Sequence, residues 1–289
     1  MLQTLAGTPT LWEAARLGDF ATMNRLLTDS DIDSDVEQLG GRGLTPLQIS
    51  AYKGYDDIVA LLLEHGANMF VTTPEGVTLL HFAACSSWQG GRGDGLTTRK
   101  LLKVAVTDKR LDINAQAADG RTPLHMAVYS GTPHAVEQLL RHNADPSIRD
   151  VACQTPLHYT ACKCNVQLSK LLMRYMTKES INTADDNGDT ALHFAVGRGL
   201  HTPASFSLGR MDLVGLFINA GVQLDTLNNA GETPYDIAVS RHRTALADTL
   251  KSETLRREVL DAFLAGLHRI RRLRDAVDPG VVQMTTEGL

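Results

Sequence analysis

Residues 119–144 read DGRTPLHMAVYSGTPHAVEQLLRHNA, and the fold can be argued from this stretch alone. Thr122 stands where a helix begins, with a hydroxyl to accept a free N–H of the first turn. Pro123 follows at the first helical position, where its missing N–H costs nothing and its φ is already helical. Gly131 ends this short helix in the left-handed region, which a side chain would occupy at a cost of roughly 1–2 kcal/mol. A second helix follows, with Val136, Leu139 and Leu140 at helical spacing. Asn143, the next most tolerant residue after glycine, stops it.

Outward from this unit the pattern returns. Thr45-Pro46-Leu47-Gln48, Thr78-Leu79-Leu80-His81, Thr155-Pro156-Leu157-His158, Thr190-Ala191-Leu192-His193 and Thr233-Pro234-Tyr235-Asp236 are copies, and a degenerate copy starts at Thr10. The intervals between threonines are 35, 33, 44, 33, 35 and 43 residues. The two long intervals mark two insertions in a regular array. Gly54 and Gly199 take the place of Gly131, while Gly66 and Gly221 stop second helices. Three residues depart from the pattern. Cys164 and His242 sit where the inter-helix glycine is expected, and Cys153 replaces the turn glycine seen at Gly120 and Gly188. These repeats are expected to be strained locally or slightly rearranged.

The pattern resembles the ankyrin repeat family over residues 10 to 250, with six copies at one period. The resemblance implies an all-α solenoid of stacked helix-turn-helix units with β-turn or hairpin tips, each unit touching only its neighbours. The expected organisation is a capping repeat over 1–40, six repeats over 41–250, a C-terminal amphipathic helix over 251–278 and a loose tail over 279–289. The insertions fall at about 86–95 and 200–209 and read as surface loops. Glu13, Arg16 and Asp19 suit a polar outer face for the first unit.

In the terminal helix Leu255, Val259, Phe263, Leu267 and Ile270 form one stripe. It is read as the cap that covers the end of the stack. The rival reading is a two-headed adaptor, in which this helix recruits ubiquitin-ligase or membrane machinery. The opposite face is read as carrying Arg269, Arg271, Arg272 and Arg274, which suit a solvated basic face, a site for phosphate or anionic lipid, or a localisation signal.

The 289 residues carry 28 Lys plus Arg and 33 Asp plus Glu, a formal charge of −5. That balance argues against non-specific nucleic-acid or lipid binding as the main task. Four cysteines make no disulfide framework, and neither an apolar run long enough to span a bilayer nor a signal peptide is recognisable, so the expected home is cytoplasmic or nuclear. No nucleophile elbow, kinase set, dinucleotide fingerprint or zinc-protease helix occurs, so no enzyme and no cofactor are expected. Cys153, His158, Cys162 and Cys164 could be grouped as zinc ligands. But His81, His125 and His193 repeat His158 without cysteines, so the repeat explains this histidine and no metal is expected. Alternating acids from Asp29 to Glu37 lack the glycine and terminal glutamate of a calcium loop.

The family resemblance places recognition on the concave side, at turn tips and first-helix ends. Carried onto this chain, it implies a monomer that binds a protein partner through Arg42, Tyr52, Lys53, Asp119, Arg121, Tyr129, Lys163, Asp189 and Arg198. Leu44, Glu75, Val77, Gln154, Cys162, Asp186, Asn187, Glu232 and Arg241 are flanking positions. Trp88, in the first insertion, is either an added anchor or a cover for its own helix pair.

Overall fold

Thr10, Thr45, Thr78, Thr122, Thr155, Thr190 and Thr233 each stand immediately before a helix, as the capping argument requires. The computed structural model describes residues 9–28, 36–86, 96–107, 110–197 and 205–277. Within these, the side chains of Arg42, Leu96 and residues 105–107, 205–208 and 274–277 are not described. The helices come in pairs. They are α1 Leu11–Leu17 with α2 Phe20–Thr28, α3 Pro46–Lys53 with α4 Asp56–Glu64, and α5 Leu79–Ala84 with α6 Leu96–Thr107. Next are α7 Pro123–Ser130 with α8 Pro133–Arg141, and α9 Pro156–Cys162 with α10 Val166–Met173. After the single turn α11 Lys178–Ile181 come α12 Ala191–Gly197 with α13 Ser205–Asn219, and α14 Pro234–Ser240 with α15 Thr244–Val277.

First helices stack in one layer, from α1 on α3 through to α12 on α14, and second helices form the other, from α2 on α4 through to α13 on α15. Small residues let the first layer close up: Ala14, Ala15, Ala51, Ala83, Ala84, Ala127, Ala161, Ala195 and Ala238 are all buried. Leucines and Phe217 fill the space between the layers.

Turns join neighbouring repeats. Ala118 N–H donates to Glu75 O at 2.7 Å, Val151 N–H to Asp119 O at 3.1 Å, Asp186 N–H to Ala152 O at 3.2 Å and Asn229 N–H to Asn187 O at 2.9 Å. Gly120 shows why these turns need glycine. Its φ is +76°, and a Cβ there would lie 2.6 Å from Val151 N. The non-glycine substitutes keep the same left-handed backbone, with φ of 57° at Cys153, 55° at Cys164, 55° at His242 and 66° at Asn143.

A second connection runs through the buried side chain three residues after each threonine. Nδ1 of His81, His125, His158 and His193 accepts the threonine backbone N–H at 3.0–3.2 Å. Nε2 of the same rings meets the carbonyl of Arg121, Gln154, Asp189 and Glu232 in the next repeat, at 3.0–3.2 Å. A backbone N–H only donates and a carbonyl only accepts. Each ring is therefore neutral, with its proton on Nε2. Gln48 reproduces both bonds with an amide, to Thr45 N–H at 3.0 Å and Val71 O at 3.1 Å. Burial holds all four histidines below their usual pKa, His125 at about 4. With both nitrogens of His158 engaged, neither faces a metal.

Three expectations change. Ser205 to Gly209, read as loop, belongs to α13. Gly209 and Gly215 cost this helix about 1 kcal/mol each in propensity, but burial of Leu213, Val214 and Phe217 overrides that. The last repeat's second helix and the terminal helix are one continuous helix, α15. Capping is confined to its first half. Leu246, Ala247 and Leu250 are buried, and Arg257 donates to Val222 O at 2.6 Å and Ile218 O at 3.0 Å. Beyond Arg257 the stripe is in solvent, with Val259 62%, Phe263 62%, Leu267 47% and Ile270 63% exposed. Leu255, at 60%, is exposed as well. The helix outruns the last repeat, so its stripe meets no neighbour. Glu13, Arg16 and Asp19 are exposed as expected.

Candidate functional site

Two clusters form where turn tips meet first-helix ends. The first is a cleft of about 610 Å³ at the N-terminal end of the array. Tyr52 and Lys53, at the end of α3, share it with Leu44, Glu75 and Val77 from the turns. Trp12 and Arg16 of α1 and Phe82 of α5 complete its wall. Tyr52 meets Phe82 edge to face at 6.3 Å, and Lys53 Nζ lies 6.0 Å from the Tyr52 ring centre. The cleft thus offers aromatic surface, two cations and one carboxylate. It suits an extended segment with an apolar side chain and an acidic neighbour.

The second cluster joins two repeats around Arg121. Its guanidinium donates to Tyr159 Oη at 3.0 Å and lies 5.7 Å from the Tyr129 ring and 5.5 Å from the Tyr159 ring. Asp119 is 3.6 Å from it. Lys163 Nζ stands 4.0 Å above the Tyr129 ring and also donates to the Tyr129 carbonyl. Partial burial lowers the Lys163 pKa. Tyr159 Oη donates to Asp150 at 2.6 Å. Burial, aided by that bond, raises the phenol to about 12, so it stays protonated. Asp150 also accepts the N–H groups of Ala152 and Gln154, both at 2.9 Å, which locks its own turn.

Of the positions named from sequence, Tyr52 and Lys53 meet in the cleft, and Asp119, Arg121, Tyr129 and Lys163 meet in the second cluster. Asp189 stands apart, taking Asn228 Nδ2 at 2.9 Å in a turn-to-turn bond. Trp88 and Arg198 lie outside the described residues, as does the Arg42 side chain. Cys162 is exposed on the same first-helix end as Lys163. Of the acids from Asp29 to Glu37, those up to Asp35 lie outside the described residues, and Glu37 accepts Asn68 N–H at 2.6 Å.

Sequence reasoning missed Trp12, Phe82 and Tyr159. A signal was available for two of them. Phe82 and Tyr159 directly follow the ladder histidines, the position that Phe194 holds in a later repeat.

Comparison with known proteins agrees with this architecture. Models of ankyrin repeats match residues 11–94 as three copies and residues 119–151 as a single repeat. Palmitoyltransferase AKR1 of Lachancea kluyveri is 32% identical over 191 residues, covering 66% of this chain and 24% of that protein. Ankyrin repeat and SOCS box protein 16 of Mus musculus is 35% identical over 117 residues, 39% of this chain and 24% of its own length. The B-cell lymphoma 3 protein homolog of Mus musculus is 27% identical over 198 residues, 68% of this chain and 40% of its own. The chain therefore spans less than half of each of these relatives. The crystal structure of the ankyrin repeat domain of Bcl-3 superposes with a TM-score of 0.61 at 23% identity, covering 85% of this chain and 99% of that one. The threonine caps, the ladder, the paired layers and these matches agree: the chain belongs to the ankyrin repeat family.

Proposed function

We propose that this chain is a non-catalytic scaffold that binds a protein partner in its concave groove. The observation that carries the reading is the cleft lined by Trp12, Tyr52 and Phe82 and flanked by Arg16 and Lys53. Aromatic and arginine side chains supply most of the energy at protein interfaces, because they combine large buried area with directional polar groups. The second cluster extends the surface, presenting Tyr129 and Lys163 beside the Arg121 network. The mixed charge of the two clusters favours a protein segment over nucleic acid. The transferase activity of the palmitoyltransferase relative is not carried over, because the chain covers 24% of that protein.

The test is affinity capture from host lysate followed by titration of the captured partner. Wild type is compared with a Tyr52→Ala, Tyr129→Ala, Lys163→Ala variant of unchanged circular dichroism. Loss of affinity by about thirtyfold or more is expected, the effect of removing one hot spot of about 2 kcal/mol. Equal affinity would place recognition elsewhere on the chain.

A further inference from the structure

The second half of α15 carries an unexplained surface. Every residue from Glu258 to Leu273 is exposed, although the sequence there is rich in large apolar side chains. At about 100° per residue, the apolar arc runs from Leu273 through Ile270, Phe263 and Leu267 to Leu264. It covers roughly half the circumference. Arg269 lies just outside one border and Arg271 just inside the other, and Arg272 lies on the opposite, polar side. All three arginines are exposed, and Asp261 is the one carboxylate between Val259 and Leu273.

We infer that this segment is an in-plane anchor that lays its apolar face on an anionic phospholipid bilayer. Width decides against a second copy of the helix. A two-stranded seam is a narrow stripe. Here it would take Leu260, Phe263, Leu267 and Ile270, leaving Leu264 and Leu273 wet. The next seam position upstream is Arg256, a cation paired with Glu253 at 3.4 Å, which supplies no apolar side chain to continue the seam. A flat surface accepts the whole half-circumference at once. The arginines bordering the face then reach sideways to headgroup phosphates while their stems stay in apolar surroundings. The acidic array does not oppose this. From Glu258 to Leu273 the helix extends about 24 Å, and a Debye length of about 8 Å at physiological salt screens the array's charge over most of that distance. Arg257, tied to the carbonyls of Val222 and Ile218, fixes where the anchor leaves the stack.

The test uses the 289-residue chain with sucrose-loaded vesicles of phosphatidylcholine alone or of phosphatidylcholine with phosphatidylserine, scored by co-sedimentation. Analytical ultracentrifugation runs in parallel. The expected result is binding to the phosphatidylserine vesicles, weaker on neutral ones and weakened by salt. A Phe263→Glu, Leu267→Glu variant should bind about a hundredfold less tightly. Alanine at Arg269 and Arg271, which border the face, should cost about fivefold per arginine, and alanine at Arg272, on the polar side, less. Circular dichroism and melting should not change in either variant, because all five side chains are exposed. Three results would overturn the inference: no vesicle binding, no preference for the anionic lipid, or binding that survives the double glutamate. A wild-type dimer that the double glutamate separates, without vesicle binding, would assign the face to a second copy.

Discussion

His125→Gln should remove part of the protein's acid sensitivity while preserving its fold. His125 is fully buried, and its pKa falls from an ordinary 6.5 to about 4, chiefly through desolvation. As pH drops below 6.5, the unfolded chain takes the proton before the folded one does, so stability falls with pH. The contribution is present in full above 6.5, is lost progressively down to 4, and totals about 3 kcal/mol. At pH 5 the loss from this ring is about 2 kcal/mol. Glutamine has no such titration, and the array already contains the replacement. Gln48 makes both bonds of a ladder histidine with one amide. The variant forgoes the edge-to-face contact of His125 with Tyr159 at 5.6 Å, so a loss of about 1 kcal/mol is expected at pH 7. The measurement is urea unfolding of both proteins at pH 7 and pH 5, followed by circular dichroism. All other titrating groups are common to both chains and cancel in the double difference, which should be about 2 kcal/mol in favour of glutamine. Equal acid losses would refute the assignment of a neutral His125 with its proton on Nε2.

Other sites give sharp expectations. Cys153→Gly should raise the melting temperature by about 2 °C, because relief of a left-handed non-glycine residue exceeds the added freedom of the unfolded chain. A chain ending at Arg257 should melt with wild type. One ending at Arg243 should lose about 5 kcal/mol or fail to fold, since the burial of Leu246, Ala247 and Leu250 goes with it. Thiol titration with an aromatic disulfide should find Cys162 fastest. Cys85 should stay silent until unfolding, because burial covers it and raises its pKa.

The repeats were legible because each is built from local chemistry. A threonine cap, a proline at the first helical position and a ladder histidine act within four residues, so their spacing survives in one sequence. The period marked Cys153, Cys164 and His242 as standing in for glycine, and the structure gives all three the left-handed backbone. The clusters were only half legible. Tyr52 and Tyr129 sit at helix ends that the family resemblance marks. Tyr159 and Trp12 matter through partners brought near by stacking, which no spacing encodes. The stripe of α15 was visible from its period, but its role as cap depended on where the stack ends. No proline interrupts Thr244 to Val277 and Gly266 is its only glycine, so the helix runs on past its last partner.

The ladder and the second cluster share atoms, which bears on how the surface can bind. The Gln154 carbonyl accepts His125 Nε2, while the Gln154 N–H donates to Asp150. Asp150 in turn receives the hydroxyl of Tyr159, and that oxygen accepts from Arg121. The Arg121 carbonyl completes the rung below, to His81. Arg121 therefore cannot swing toward a partner without giving up its bond to Tyr159, which ties two neighbouring repeats together. Tyr129 and Lys163 rest on that fixed base and take less ordering entropy to bind than free side chains would. Tyr159→Phe separates the two roles. It keeps the ring against His125 but removes the link between Asp150 and Arg121, leaving the carboxylate with its two backbone donors. Stability should fall by about 2 kcal/mol, the net worth of the two bonds the hydroxyl makes. Affinity for a partner on Tyr129 and Lys163 should fall further, because the guanidinium beneath them is released. An affinity loss no larger than the stability loss would show that the network holds the fold alone.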